Sequence, residues 1–408
     1  MADMPTPYAP PAEIEGPRSR ALLVGLVGLA ACVAGFIVDR DHFFRSWLVA
    51  YLLFLGIALG SMGLLMIQHL SGGAWGVFRR VFEASSRTLP LMALLFLPVV
   101  LGMGTLYPWT HPDQVAQDEV LRHRAIYLNT GFFLARAFVY FAGWILIAWT
   151  LTRWSRRQDA GDMRVNLPIQ YLAGGGLVFY TFAATFAAVD WIMSINPHWY
   201  STLFGFIFVG GHGISALSFT IVVSTLLARW APMDTVLKPS HFHDLGKLSL
   251  AFVMLWAYFN FSQYMLVYAA NLVEEIPYFI ARTSGGWQYL ALFLVVFQFA
   301  VPFLLLLSRD LKRMPLRLVW VSAALLLVRD IDLFMLVAPE FDAASGANLH
   351  VLTGEHASHV FVHWLDLAAP LAIGGLWVWM FFTQLAQRPL LAFADPYLRN
   401  ALESPGGH

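Results

Sequence analysis

The chain has 408 residues, 59% hydrophobic and only 12% charged, with 25 Lys plus Arg against 25 Asp plus Glu. Soluble domains carry about 25% charged residues, so this composition excludes an ordinary soluble fold and points to a membrane. No basic run is long enough to track nucleic acid, and the single cysteine, Cys32, excludes an internal disulfide, a self-contained iron–sulfur cluster and a C-x-x-C-H haem attachment.

Residues 1–17 are polar and proline-rich, with no basic stretch directly before an apolar core, and read as a flexible cytoplasmic tail rather than a signal peptide. Ten apolar stretches follow, near the length of about 20 residues that a helix needs to cross hydrocarbon. They are 21–38, 47–70, 89–107, 128–152, 169–193, 203–228, 246–271, 285–308, 316–338 and 359–385. Barrel strands are about 10 residues long with alternating polarity, so runs of this length exclude a barrel. The expected fold class is all-α, a polytopic integral membrane protein with one membrane domain over 18–386 and a cytoplasmic C-terminal tail over 387–408.

Orientation follows from the connections. Arg79, Arg80 and Arg87, then Arg153, Arg156, Arg157 and Arg164, then Arg309, Lys312, Arg313 and Arg317 fall on the side of the termini. The other side holds Arg40, Arg45, Arg122, Arg124 and Arg282. Basic residues stay inside, which places both termini in the cytoplasm. The longest outer connections are 108–127 and 339–358, and the first contains a surface helix over Gln114 to Arg124. Glycines such as Gly174-Gly175-Gly176 and Gly210-Gly211 are expected to let helices approach closely.

Ionisable groups at bilayer depth are costly and face protein or water. Toward the cytoplasm lie Gln68 and His69, near the segment HFHDLGKL with His241, His243, Asp244 and Lys247. Asp244 also suits a helix start. Mid-membrane, Asn260, Gln263, Tyr264, Tyr268 and Asn271 recur at steps of three and four, giving one polar stripe that serves equally as helix glue or as a water wire. Toward the outside lie Asp190, His212, Arg329, Asp330 and Asp332, and then His359, His363 and Asp366 at i, i+4, i+7. Arg136 can pair with Asp190 or with an acid of the ninth stretch, and Arg329 with Asp332. Such pairing leaves an acid and several histidines over, which is what proton conduction uses. A zinc set of His356, His359 and His363 lacks the general base of H-E-x-x-H, and no spacing demands a haem between His212 and the tenth helix.

Four stretches resemble a known family: YLNTGFFLARAFVYF (127–141), DWIMSINPHWYSTLFG (190–205), the long block HFHDLGKLSLAFVMLWAYFNFSQYMLVYAANLVEEIPYF (241–279) and DPYLRNALE (395–403). They resemble the second large membrane subunit of alternative complex III, a bacterial quinol:electron-acceptor oxidoreductase whose membrane subunits are related to the polysulfide-reductase membrane anchors. The resemblance implies two four-helix bundles with two flanking helices, in the bacterial inner membrane of a respiratory or photosynthetic chain. It implies no redox cofactor in this chain. Menaquinone or ubiquinone, in its reduced form, is then oxidised at a homologous membrane subunit, and haem c and iron–sulfur clusters sit on periplasmic partner subunits.

The same resemblance implies proton half-channels. The inner one uses His69, His241, His243 and Asp244, and the outer one Asp190, Asp330, Asp332, His359, His363 and Asp366; between them, the middle of the path at Gln263 and Tyr264 is where a break is expected, since a continuous wire would short-circuit the proton gradient. Arg136 and Arg329 are then structural charge partners, and no residue is catalytic. Two other classes fit the residues: a quinone-binding subunit using His363 and Asp366, and a stand-alone proton-coupled transporter, although no pair of interrupted helices stands out.

Overall fold

The computed structural model describes residues 9–344 and 360–398. The described residues form helices and connections, with no strand among them. Nine helices among them are long and apolar enough to cross a membrane: α1 (Ala12–Val38), α2 (Arg40–Ser71), α3 (Trp75–Leu101), α4 (Thr130–Asp159), α5 (Met163–Ile195), α6 (Phe204–Leu227), α7 (Pro239–Ala270), α8 (Trp287–Leu307) and, last in the chain, Leu365–Leu385. Between the last two runs a further long helix, α9 (Pro315–Ala344), which carries Arg329, Asp330 and Asp332 in its interior; Leu365–Leu385 is α10. At about 1.5 Å per residue the 30 residues of α9 reach about 45 Å, ample for a bilayer. Large apolar side chains stand exposed along α1, α7 and α8, among them Leu23, Val27, Tyr258, Phe261, Leu292 and Leu304. Such a surface suits a membrane environment.

The helix α2 is the axle. It is buried almost continuously from Phe43 to Met66, and it packs against α1, α3, α5, α6, α9 and α10. A helix apolar on every face has no side suited to water. The helices α2, α3, α4 and α5 touch in a ring, and so do α6, α7, α8 and α9. Contacts of α6 with α2 and α5 join the two rings. The helix α1 lies on α10, where a Cβ added to Gly28 would stand 2.5 Å from the backbone nitrogen of Ala372. Only glycine allows that approach.

Two spans are irregular for a stated reason. Pro90 and Pro98 break α3 into short helices, since each lacks the N–H that would continue the ladder. In α8, a π-helical turn over Val295–Ala300 precedes Pro302, and the Val301 N–H bonds to the Val296 carbonyl five residues back.

The element boundaries differ from the sequence reading at several places; α1 already begins at Ala12, inside the tail expected over 1–17, and α2 begins at Arg40. The third span begins near Trp75, so Arg79 and Arg80 lie inside a buried helix and not in a loop. Residues 239–245 belong to α7, which puts the HFHD segment in its first turns. The tenth helix begins at Leu365, so His363 precedes it and the i, i+4, i+7 stripe with Asp366 does not exist as a helical face. Near the expected surface helix there are two short ones, Pro112–Gln117 and Glu119–Arg124. Of the triple glycine, Gly174 and Gly175 face open space and Gly176 alone meets a neighbour, Met66.

Candidate functional site: polar groups at three levels

The helices alternate in direction, so the structure has a tail end, where α1 starts and α10 finishes, and a far end, where α2 starts. At the tail end a buried ion network surrounds Glu83 of α3. Its carboxylate accepts hydrogen bonds from Arg79 Nε (2.9 Å), Arg80 (2.6 Å), Ser155 Oγ (2.7 Å) and Arg388 (2.8 Å). Arg80 also pairs with Asp159, and Arg79 with Asp395 at 2.8 Å, where Gln68 Nε2 donates to the same carboxylate at 3.2 Å. Residues 388–398 are thus folded onto the tail end, with Leu390, Leu391 and Leu398 buried beside them. Burial pushes the Arg388 guanidinium down to about 10, against the pull of Glu83. Three arginines face three acids, so the charges are matched, although Arg79 Nη2, Arg80 Nε, Arg388 Nε and Asp159 Oδ1 have no hydrogen-bond partner among the described residues. The sequence reading missed this network. The available signal was RRVFE, which puts Glu83 three and four residues after the two arginines.

The four residues read as the inner path are not gathered into one site. His69 is buried at the end of α2, and its Nε2 has no partner among the described residues. His241 is buried in the first turn of α7, where its Nδ1 accepts the Lys238 backbone N–H at 3.2 Å. His243 and Asp244 lie at the rim, and Asp244 pairs with Lys247 at 2.7 Å.

At mid-height, His212 of α6 packs against Gly56 and Gly60, near the centre of α2. It therefore lies deeper than an outer position. Its Nδ1 pairs with the Tyr180 hydroxyl at 3.0 Å. Next to it the Arg329 guanidinium lies flat on Gly211, where an added Cβ would stand 2.1 Å from Nη2. Arg329 pairs with Asp332, which also accepts from Trp256 Nε1 at 2.9 Å. Asp332 lines a cavity of about 680 Å³ between α7, α8 and α9. Asn260, Gln263 and Tyr264 of the predicted stripe line it too, with Trp199, Tyr278, Phe279 and Arg282. Gln263 Oε1 accepts from Ser201. Tyr268 is 72% exposed, so the stripe leaves the interior one turn above Tyr264. Arg282 is held by Glu340 at 2.7 Å and stacks on Tyr278.

At the far end, Arg136 grips Asp190 through two bonds of 2.9 Å, and Tyr140 donates a third at 2.8 Å. This acid is fully paired, as Asp332 is. Asp330, which lies between Arg329 and Asp332 on α9 and so at their level, is different. Its Oδ1 is buried and accepts no hydrogen bond from any described residue, while the adjacent Arg329 is taken up by Asp332. Asp366 lies within its electrostatic reach. Asp366 in turn accepts from Ser46 Oγ at 2.5 Å and from the His363 backbone N–H at 2.8 Å. The His363 ring stands 4.4 Å from that of His42. His42, Arg45 and Asp366 line a cavity of about 70 Å³, wide enough for water. The structure therefore brings His363 and Asp366 together, with Asp330 linked to Asp366 through charge. It adds His42, Arg45 and Ser46, which looked like loop residues because they stand at the edge of an apolar run. His356 and His359 lie outside the described residues.

The far end thus holds an acid and imidazoles beside a small cavity, whereas the charges of the Glu83 network at the tail end are matched. No group of three or more His, Cys, Asp or Glu placed to hold a metal occurs among the described residues. No known protein-family model matches the chain, and no curated protein matches it.

Proposed function

We propose that this chain is a non-redox membrane subunit that moves protons in step with quinol oxidation by a larger complex of the alternative complex III type. The observation that carries the proton role is Asp330. It is a half-buried aspartate whose Oδ1 is enclosed without a hydrogen-bond partner among the described residues, and it lies within electrostatic reach of Asp366, which lines a small far-end cavity with His42. A carboxyl pair in such a place can take up and release a proton, which a carboxylate locked to arginine does not do. The assignment to a complex comes from the sequence resemblance. In this reading α9 is the tenth span, α2–α5 and α6–α9 are the two four-helix bundles, and α1 and α10 flank them. The tail end is cytoplasmic and the membrane is the bacterial inner membrane. The partners are a homologous quinol-binding membrane subunit and periplasmic subunits carrying haem c and iron–sulfur clusters.

The test has two stages. Gently solubilised protein is expected to bring c-type haem absorbance with it; a lone, haem-free protein that is active as purified would instead support a transporter. The assembly is then placed in liposomes and given quinol. Replacing Asp330 by Asn is expected to abolish proton movement while quinol oxidation continues, and unchanged proton stoichiometry in Asp330→Asn would end this reading.

The cavity of about 680 Å³ favours a second reading, in which the chain binds quinone itself. Its aromatic walls and its polar Asn260 and Gln263 suit a ring-headed lipid. It is distinct from the His363 and Asp366 position expected from sequence. Quinone retained after extraction, and lost from Gln263→Leu, would support it.

A further inference from the structure

The π-helical turn of α8 carries a side chain that the proton reading does not use. Gln298 is 0% exposed, and neither its Oε1 nor its Nε2 has a partner among the described residues. The turn packs against both α7 and α9. Its flanking residues Val295 and Phe299 line the cavity that Asp332 also lines. On α7, Ser249 Oγ is likewise buried without a partner among the described residues.

The two positions share a level. Trp287 meets Phe334 at 5.7 Å, and α8 and α9 run in opposite directions, so Gln298 falls about three turns toward the tail end from Phe334. Trp256 meets Asp332, and α7 runs parallel to α9, so Ser249 falls about two turns toward the tail end from Asp332. A buried amide and a buried hydroxyl are costly to leave unmade, and no described residue satisfies them. The turn itself has a cause in Pro302, whose ring would clash with the Gln298 carbonyl in a regular helix. π-turns recur at functional sites.

We infer that Gln298 and Ser249 hold buried water, and that this water forms the polar step between the Asp332 cavity and the tail end. An amide both donates and accepts, so it can orient a water in either sense and let a proton pass in either direction. This rests on the proton-moving reading for its role, but the water site stands on the orphaned atoms alone.

The test uses the purified assembly in lipid. Infrared spectra are recorded in ordinary and heavy-oxygen water for the native protein, Gln298→Leu and Gln298→Asn. The inference expects an isotope-shifted O–H stretch from enclosed water in the native protein, its loss in Gln298→Leu and its retention in Gln298→Asn. Proton movement in liposomes should fall about tenfold in Gln298→Leu, which is about 1.4 kcal/mol, with thermal stability unchanged and activity largely restored in Gln298→Asn. No enclosed-water band in the native protein, or the same band in Gln298→Leu, overturns the water site. A lost band with undiminished proton movement overturns its place in the path. If Asp330→Asn stops proton movement and Gln298→Leu does not, the proposed function stands and this inference falls.

Discussion

The two ends of the molecule handle buried charge in opposite ways. At the tail end, Arg79, Arg80 and Arg388 are matched against Glu83, Asp159 and Asp395, and the last described residues of the chain are part of the network. Toward the far end, Asp190 is matched to Arg136, but Asp330 has no ion pair among the described residues and is coupled through charge to Asp366, which has a hydroxyl and His363 beside it. A matched network leaves little net buried charge. An unmatched cluster keeps its protons exchangeable. The difference teaches that charge inside a membrane protein is informative only after its partners are known.

The sharpest way to break this comparison is at Glu83. Replacing it by Gln leaves three arginines short of an acid, and should cost about 3–5 kcal/mol or prevent accumulation of the folded protein, read as loss of thermal stability in detergent. The Asp190→Asn variant should lose about 3 kcal/mol for the same reason, because Arg136 is left buried. A Gly211→Ala change forces its new methyl into the Arg329 guanidinium and should cost about 1–3 kcal/mol, with the Asp332 pair displaced. Asp330→Asn should differ from all three, with stability within about 1 kcal/mol of native and proton movement lost. If Asp330→Asn is as destabilising as Asp190→Asn, the two regions are not different in kind.

The smallest effect concerns a far-end rim group away from both buried clusters. Asp118 starts the helix Glu119–Arg124, and its carboxyl is held below the usual range. Burial acts against this, and it is outweighed by the N–H groups of Leu121 and Val120 and by His198 at 2.7 Å. A lowered carboxyl contributes stability above its unfolded value, and that contribution is lost as pH falls through the folded value. Acidification below about pH 4 should therefore loosen the 112–124 segment, read as increased protease cleavage there, and Asp118→Ala should remove the pH dependence.

Much of the frame was legible in the sequence because lipid imposes length and apolarity, which are local properties. The pairing of Arg136 with Asp190 and of Arg329 with Asp332 was within reach because one choice had few competitors and the other was an i, i+3 step. What stayed hidden was set by distant chain. Arg388 meets Glu83 across 305 residues and Ser46 meets Asp366 across 320, and neither spacing leaves a local trace. His363 and Asp366 were placed on one helical face by their spacing, but the helix starts at Leu365, so spacing alone misled. Gln298 gave no signal because it sits in an unbroken apolar run, and only the turn before Pro302 marks it out.

The central claim is that Asp330 exchanges a proton while the matched acids do not. The most direct measurement is an infrared difference spectrum of the protein in lipid between acidic and neutral pH, following the carboxyl C=O stretch in native, Asp330→Asn and Asp190→Asn protein. The account predicts a titrating carboxyl band that disappears in Asp330→Asn and persists in Asp190→Asn. The same band surviving intact in Asp330→Asn would contradict it.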